Sequence, residues 1–437
     1  MRTRISQLVL AAGLFAVAGC TLYNDVSVAP LVLLPTSIDR GSDIHAMLRR
    51  ADYLRAIEMA SNVSNRSRRS ANDLGALGSA YLAAGRYDDA REQLRAALDL
   101  APYRDTYAEI AWNLSQVEYL QNNFDASLEW AQLAIDHGLL IKKWHLDYLT
   151  ALAQVPVYRF EGLPSDVLPM HVGRPDVPRI EVKVNGSKLM PAIIDSGAVL
   201  SIVSQRLAAQ LPVKKLGTFQ GTFYGLLGEP IPVDFGIVET VEIGAIIVHN
   251  VPVAVMPDDK MRFLVTGKKE FNIDFLLGAN LLKEFRLELN FERSRVTFTR
   301  LTMRDRIPDP NQNIFFEGFR PLVRGTVNRK GWYLFVLDTG SEVTFLNEMQ
   351  MKNLPINFYA PGMHNATLQG LGGAKKHGSK LENIEVGMDK WAGTFKTIPM
   401  YDGLEQEHAV GIIGENFLKN FNVVIDFGRM RMDLVRR

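Results

Sequence analysis

Two short runs, PAIIDSGAVLSIVS at 191–204 and FVLDTGSEVTF at 335–345, constrain the fold of this chain more than any other feature. In each, an apolar stretch of strand character runs into an aspartate followed by a hydroxyl residue and a glycine. A carboxylate at the end of a buried strand is costly unless something satisfies it. A single Asp-hydroxyl-Gly triplet is ordinary turn chemistry; two in register are not. The separation, 338 − 195 = 143, also relates Val184 to Val327, Asn185 to Asn328, Gly197 to Gly340 and Ser201 to Thr344. The second half of the chain therefore reads as two copies of one unit.

Further matches follow in chain order. FYGLLG at 223–228 parallels LQGLGG at 368–373, each between β-like runs as a glycine-bearing hairpin would lie. FLLGANLLKEFRLELNF at 275–291 parallels GIIGENFLKNFNVVIDF at 411–427, and both copies close on an apolar strand, VTF at 296–298 and MDL at 432–434. The series apolar-apolar-D-[ST]-G-[AS], glycine-bearing hairpin, apolar-apolar-G-x-N-apolar-L resembles the retropepsin-like aspartic peptidases over residues 178–437.

That resemblance implies an all-β, bilobal peptidase in which Asp195 and Asp338 meet as a catalytic dyad. It also implies that Ser196 and Thr339 hydrogen-bond across the lobe interface. Segments near 219–233 and 366–378, with Tyr224, Gly225, Gly370, Gly372 and Gly373, would be flaps over an extended peptide. With both lobes in one chain, no dimer is needed for the dyad. The chemistry has a direct reason: two adjacent carboxyls cannot both ionise cheaply, so they share a proton, and one can act as base while the other acts as acid. Gly197 and Gly340 leave room for close backbone approach and offer amides to the carboxylates. The copies differ at the next position, Ala198 against Ser341. A Ser341 hydroxyl bonded to Asp338 would make Asp338 the more readily ionised member and Asp195 the proton carrier.

Ahead of the β region, residues 43–152 are rich in Ala, Leu, Glu and Arg with helical spacing. Leu74, Leu77, Gly78, Tyr81, Ala90, Leu94, Ala97 and Pro102 match the tetratricopeptide pattern, and a degenerate copy lies 37 residues on, Leu77 to Leu114 and Ala97 to Ala134. ADYLRAIEMASNV at 51–63 reads as one helix of a further copy. Such a stack either recruits a protein partner or serves as a spacer.

The N-terminus, MRTRISQLVLAAGLFAVAGC, has two arginines, an apolar segment and small residues before Cys20, the one cysteine in the sequence. VAGC resembles the bacterial lipobox, which implies cleavage before Cys20 and lipid on it. Thr21, in place of the aspartate that retains such lipoproteins at the inner membrane, favours the outer membrane. The expected organisation is a signal at 1–19, a tether at 20–42, tetratricopeptide-like repeats at 43–152, and peptidase lobes at 153–305 and 306–437. A proline-rich link is expected at 155–178 and a second, RIPDPNQN, at 306–313.

Composition narrows the alternatives. The net charge of +1 carries no basic excess for nucleic acid. One cysteine excludes intrachain disulfides and a zinc ribbon. The histidines lack metal-ligand spacing, and GLGGAKKHGSK at 370–380 lacks the phosphate-loop pattern. No cofactor is expected. The expected function is an envelope-anchored aspartic endopeptidase acting on a protein or peptide as a monomer. The alternative is a lipoprotein scaffold that binds peptides without cutting them.

Overall fold

The computed structural model describes residues 26–31, 44–62, 69–101, 103–173, 176–225, 229–265, 269–352, 366–369, 375–401 and 408–437. Cys20, Pro102, Gly370, Gly372 and Gly373 lie outside these residues. The chain divides into two compact units. One holds the described residues from 44 to 157 and takes in Phe315–Phe319; the other holds 158–314 and 320–437 together with the strand Val26–Pro30.

The first unit is helical: α1 Ile44–Arg49, α2 Tyr53–Asn62, α3 Ala71–Ala83, α4 Tyr87–Leu100, α5 Arg104–Leu120, α6 Phe124–Asp136 and α7 Lys143–Leu152. Ser70 starts α3 through a capping box with Asp73, which satisfies two backbone donors that a helix start leaves open. In α3 and α4 the pairing rests on a small residue: a Cβ on Gly78 would lie 2.5 Å from Leu94 Cγ. The matching place in α5 is Ser115, whose hydroxyl donates to Ser127 O at 2.8 Å while the Ser127 hydroxyl donates to Ser115 O at 2.9 Å. The two helix pairs thus reach close approach by different means, glycine in one and a buried serine pair in the other. Leu94 and Leu114 are fully buried, each contributing on the order of 1.5–3 kcal/mol. Among the described residues no helix is long and apolar enough to cross a membrane.

The second unit is predominantly β, with short helical turns such as Ala279–Leu282 and Glu415–Leu418, and it repeats itself. In the first lobe the strands run in the order Arg159–Gly162, Ile246–Met256, Ser201–Ser204, Phe275–Leu277, Met190–Ile194, Arg179–Val184 and Pro230–Ile243. Pairing of Pro230–Ile243 back onto Ile246–Met256 closes this sheet into a barrel-like ring. The second lobe repeats the order with Val26–Pro30, Trp391–Tyr401, Phe345–Asn347, Ala409–Ile413, Lys330–Leu337, Arg320–Val327 and Lys375–Met388. It closes in the same way, Lys375–Met388 onto Trp391–Tyr401. The repeat extends to the turns. Asn185 and Asn328 both take positive φ, 47° and 49°, and their side-chain oxygens accept Thr240 N–H at 2.9 Å and Glu385 N–H at 3.0 Å.

A third sheet joins the lobes, in the order Arg431–Arg436, Phe421–Asp426, Phe285–Asn290, Arg295–Arg300 and Ser165–Pro169. Alternate residues Phe285, Leu287 and Leu289 are buried, the period-2 pattern of a sheet with one face on a core.

Two boundaries need correction. Residues 26–30, expected in a tether, form the outer strand of the second lobe, with Val26 opposite Phe395 and Pro30 opposite Trp391. An edge strand tolerates the proline, which lacks an N–H, where the backbone nitrogen faces away from the neighbouring strand and no ladder bond is lost. The stretch 155–178, expected as a link, contains the strands Arg159–Gly162 and Ser165–Pro169, which complete the first-lobe and joining sheets.

Candidate active site

Each aspartate is delivered by a strand that ends at a parallel neighbour. Met190–Ile194 pairs with Phe275–Leu277, and Asp195 N–H donates to Leu277 O at 3.0 Å. Lys330–Leu337 pairs with Ala409–Ile413, and Asp338 N–H donates to Ile413 O at 3.1 Å. The glycine of each G-x-N motif has a steric reason. A Cβ on Gly278 would lie 2.5 Å from Leu200 C, and one on Gly414 would lie 2.7 Å from Ser341 O. The asparagines lock the loops: Asn280 Oδ1 accepts Ser201 N–H at 2.7 Å, and Asn416 Oδ1 accepts Thr344 N–H at 2.8 Å.

The loops then interlock. Ser196 Oγ donates to Leu337 O at 2.7 Å and accepts Thr339 N–H at 3.1 Å; Thr339 Oγ1 donates to Ile194 O at 2.7 Å and accepts Ser196 N–H at 3.1 Å. Each hydroxyl thus spans both lobes, and all four groups are buried. Gly197 lies against the opposite carboxyl, where a Cβ would come within 2.4 Å of Asp338 Cγ. Gly340 does the same for Asp195 Cγ at 2.5 Å. The two carboxyls are therefore held face to face with each other's glycine.

Both aspartates are fully buried. Asp195 Oδ1 accepts Ala198 N–H at 3.0 Å and Asp338 Oδ1 accepts Gly340 N–H at 3.0 Å, while neither Oδ2 has a hydrogen-bond partner among the described residues. Burial pushes Asp195 up to about 7 against the pull of the Ala198 and Gly197 amides. Burial, then the charge of Asp195, pushes Asp338 well above the usual carboxylate range. The two carboxyls titrate as one coupled pair sharing a proton, and the amides around them favour ionisation of Asp195 over Asp338, against the sequence expectation. The reason is local geometry: the Ser341 hydroxyl donates to Val343 O at 3.0 Å instead of reaching Asp338, and two amides on Asp195 outweigh the one on Asp338.

Tyr224 and Gly225 lie where the strand Gly221–Tyr224 turns toward Pro230–Ile243, with Tyr224 opposite Pro230 and Gly225 N–H donating to Glu229 O at 2.9 Å. In the second lobe Ala366–Gln369 pairs with Lys375–Met388, Gln369 opposite Lys375. The tip glycines of that hairpin fall outside the described residues. Among the described residues no group of three or more His, Cys, Asp or Glu side chains is placed to hold a metal ion.

Two buried ionisable side chains escaped the sequence reading. Arg320 opens the strand Arg320–Val327, and its charge favours ionisation of both aspartates. The place matching it in the first copy, 320 − 143 = 177, is Val177. Glu415 stands where the first lobe has Ala279. Differences in charge between the two copies were the signal that could have found them.

Comparison with known families agrees with this division. Residues 180–281 match the aspartyl protease family model, residues 318–426 the retroviral aspartyl protease model, and residues 74–137 the tetratricopeptide repeat model. Among solved structures, a retropepsin-like aspartic protease from Rickettsia conorii is 16% identical, covering 33% of this chain and 97% of its own, with a TM-score of 0.22. A comparison with curated proteins returned no match. The chain thus carries a stretch that matches the tetratricopeptide repeat model, followed by two that match aspartyl protease models, one containing Asp195 and the other Asp338.

Proposed function

We propose that the chain is an aspartic endopeptidase whose catalytic dyad is Asp195 and Asp338. The observation that carries this reading is the reciprocal fit of Gly197 on the Asp338 carboxyl and Gly340 on that of Asp195. Such a fit brings two fully buried acids together in a setting where one proton is shared. Asp195, the more easily ionised, takes a proton from a water as its oxygen attacks the peptide carbonyl carbon. Asp338 gives its proton to the carbonyl oxygen, producing a neutral gem-diol. Collapse of that intermediate breaks the C–N bond, with the proton held by Asp195 passing to the leaving nitrogen and a hydroxyl proton returning to Asp338. The paired strands 221–224 with 230–243 and 366–369 with 375–388 would flank an extended peptide segment.

The sequence before residue 26 supports a lipid anchor at Cys20 and an outer-membrane, periplasm-facing location, and the helical repeats support recruitment of a protein substrate or adaptor. Cleavage of an unstructured protein such as casein tests the central reading. Asp195→Asn and Asp338→Asn are each expected to lower kcat/KM by at least about 10²–10⁴-fold, the usual contribution of a general acid or base. Binding of the protein substrate with no cleavage by the unaltered chain would instead establish a scaffold. Cys20→Ser is expected to release the protein from the membrane fraction.

A further inference from the structure

Behind the second-lobe loop lies a carboxyl that the proposed chemistry does not use. Glu415 opens the helical turn Glu415–Leu418 and is fully buried, and neither carboxyl oxygen has a hydrogen-bond partner among the described residues. Its backbone is fully engaged. Glu415 N–H donates to Ser341 O at 2.8 Å and Asn416 N–H to Glu342 O at 3.2 Å, docking the turn on the loop that begins at Asp338.

The first lobe builds the same junction without a carboxyl. Ala279 N–H donates to Ala198 O at 2.6 Å, and Asn280 N–H donates to Val199 O at 3.1 Å. An alanine therefore suffices for the backbone arrangement, and the acid of the second lobe is an addition to it. Three charged groups face Glu415: Asp176 from the segment before Arg179–Val184, Lys419 from its own helical turn, and Arg437 from the end of the last strand. Lys419 is ion-paired with Asp176, whose N–H also donates to the Glu342 carboxylate beside the loop. Burial, then the charge of Asp176, pushes Glu415 well above the ordinary carboxylate range, against the opposing pull of Lys419 and Arg437.

We propose that Glu415 is a proton-gated positioning residue: un-ionised, it lets the turn pack on the 338–342 loop and hold Asp338 in place; ionised beside Asp176, it loosens that loop. A buried carboxylate lacking a partner is among the costliest groups a fold can hold. The inference deepens the peptidase reading by adding a regulation of its site, and it rests on that reading for the activity measurement alone. The sign follows from linkage: a carboxyl raised on folding contributes stability that is present below its unfolded value, about 4.3, and is lost as pH rises through the folded value.

The test measures thermal midpoint and kcat/KM against pH for the full chain, for Glu415→Gln, and for Glu415→Ala, which supplies the first lobe's residue. The unaltered chain is expected to lose midpoint relative to both variants as pH rises. Its alkaline activity limb is expected to lie about one unit, or tenfold in proton affinity, below that of Glu415→Gln. The midpoint gap is expected to persist in an Asp338→Asn background, which separates Glu415 from titration of the dyad. A gap that does not vary with pH, or coincident alkaline limbs, overturns the gate. A pH-dependent gap with no cleavage by any form supports the gate and defeats the peptidase reading instead.

Discussion

Ser196 and Thr339 fill equivalent places with different side chains, yet each donates to a carbonyl and accepts an amide of the other lobe. Removing one hydroxyl leaves a buried carbonyl and a buried N–H without partners, at a cost of about 1–3 kcal/mol. Thr339→Ala is therefore expected to lower the thermal midpoint, and Thr339→Ser to restore it. Because the four bonds form one network, the double variant with Ser196→Ala should lose less than the sum of the singles. Additive losses in chemical denaturation would mean that the two hydroxyls act independently. These residues were legible because the chain writes the motif twice. The direction of the Ser341 hydroxyl was not, since a two-residue turn back to Val343 is decided by backbone geometry that no residue pattern specifies.

At the level of elements, the helices were readable from apolar spacing and small residues at close approach, and the repeated β segments from the register of the two copies. The strand Val26–Pro30 was not. Its sequence, VSVAP, is short, exposed along one edge, and partnered by residues more than 360 positions away, so no local periodicity announces it. Its role follows from symmetry of the sheet orders. The first lobe covers the edge of Ile246–Met256 with Arg159–Gly162, and the second covers the edge of Trp391–Tyr401 with this distant strand. Gly393 fits the arrangement, since a Cβ there would lie 2.9 Å from Val26 Cγ1 and from the Phe417 ring. Deleting residues 26–30 bares an unpaired strand edge, which favours self-association. The expected outcome is a lower thermal midpoint and concentration-dependent aggregation in light scattering; a deletion variant as stable and monodisperse as the full chain would show the strand to be dispensable.

Across the whole molecule, that strand also makes the order of the chain matter. The helical residues lie in sequence between the second lobe's outer strand and the rest of the two lobes, so a fragment begun at residue 153 would lack part of its own second lobe. The same feature sets a working radius. With lipid on Cys20, only residues 21–25 connect the anchor to Val26, a contour of at most about 20 Å. In the proposed anchored peptidase, the second lobe would be held on a short leash, and the peptide bonds within its reach would be those presented close to the bilayer. Inserting about 30 Gly and Ser residues after position 21 gives a leash of roughly 30 Å mean reach. Cleavage of a reporter whose site stands well above a vesicle surface should rise, while cleavage of a free peptide stays the same. Equal rates on the distant reporter with either leash would mean that the length of chain between Cys20 and Val26 does not govern which bonds are cut.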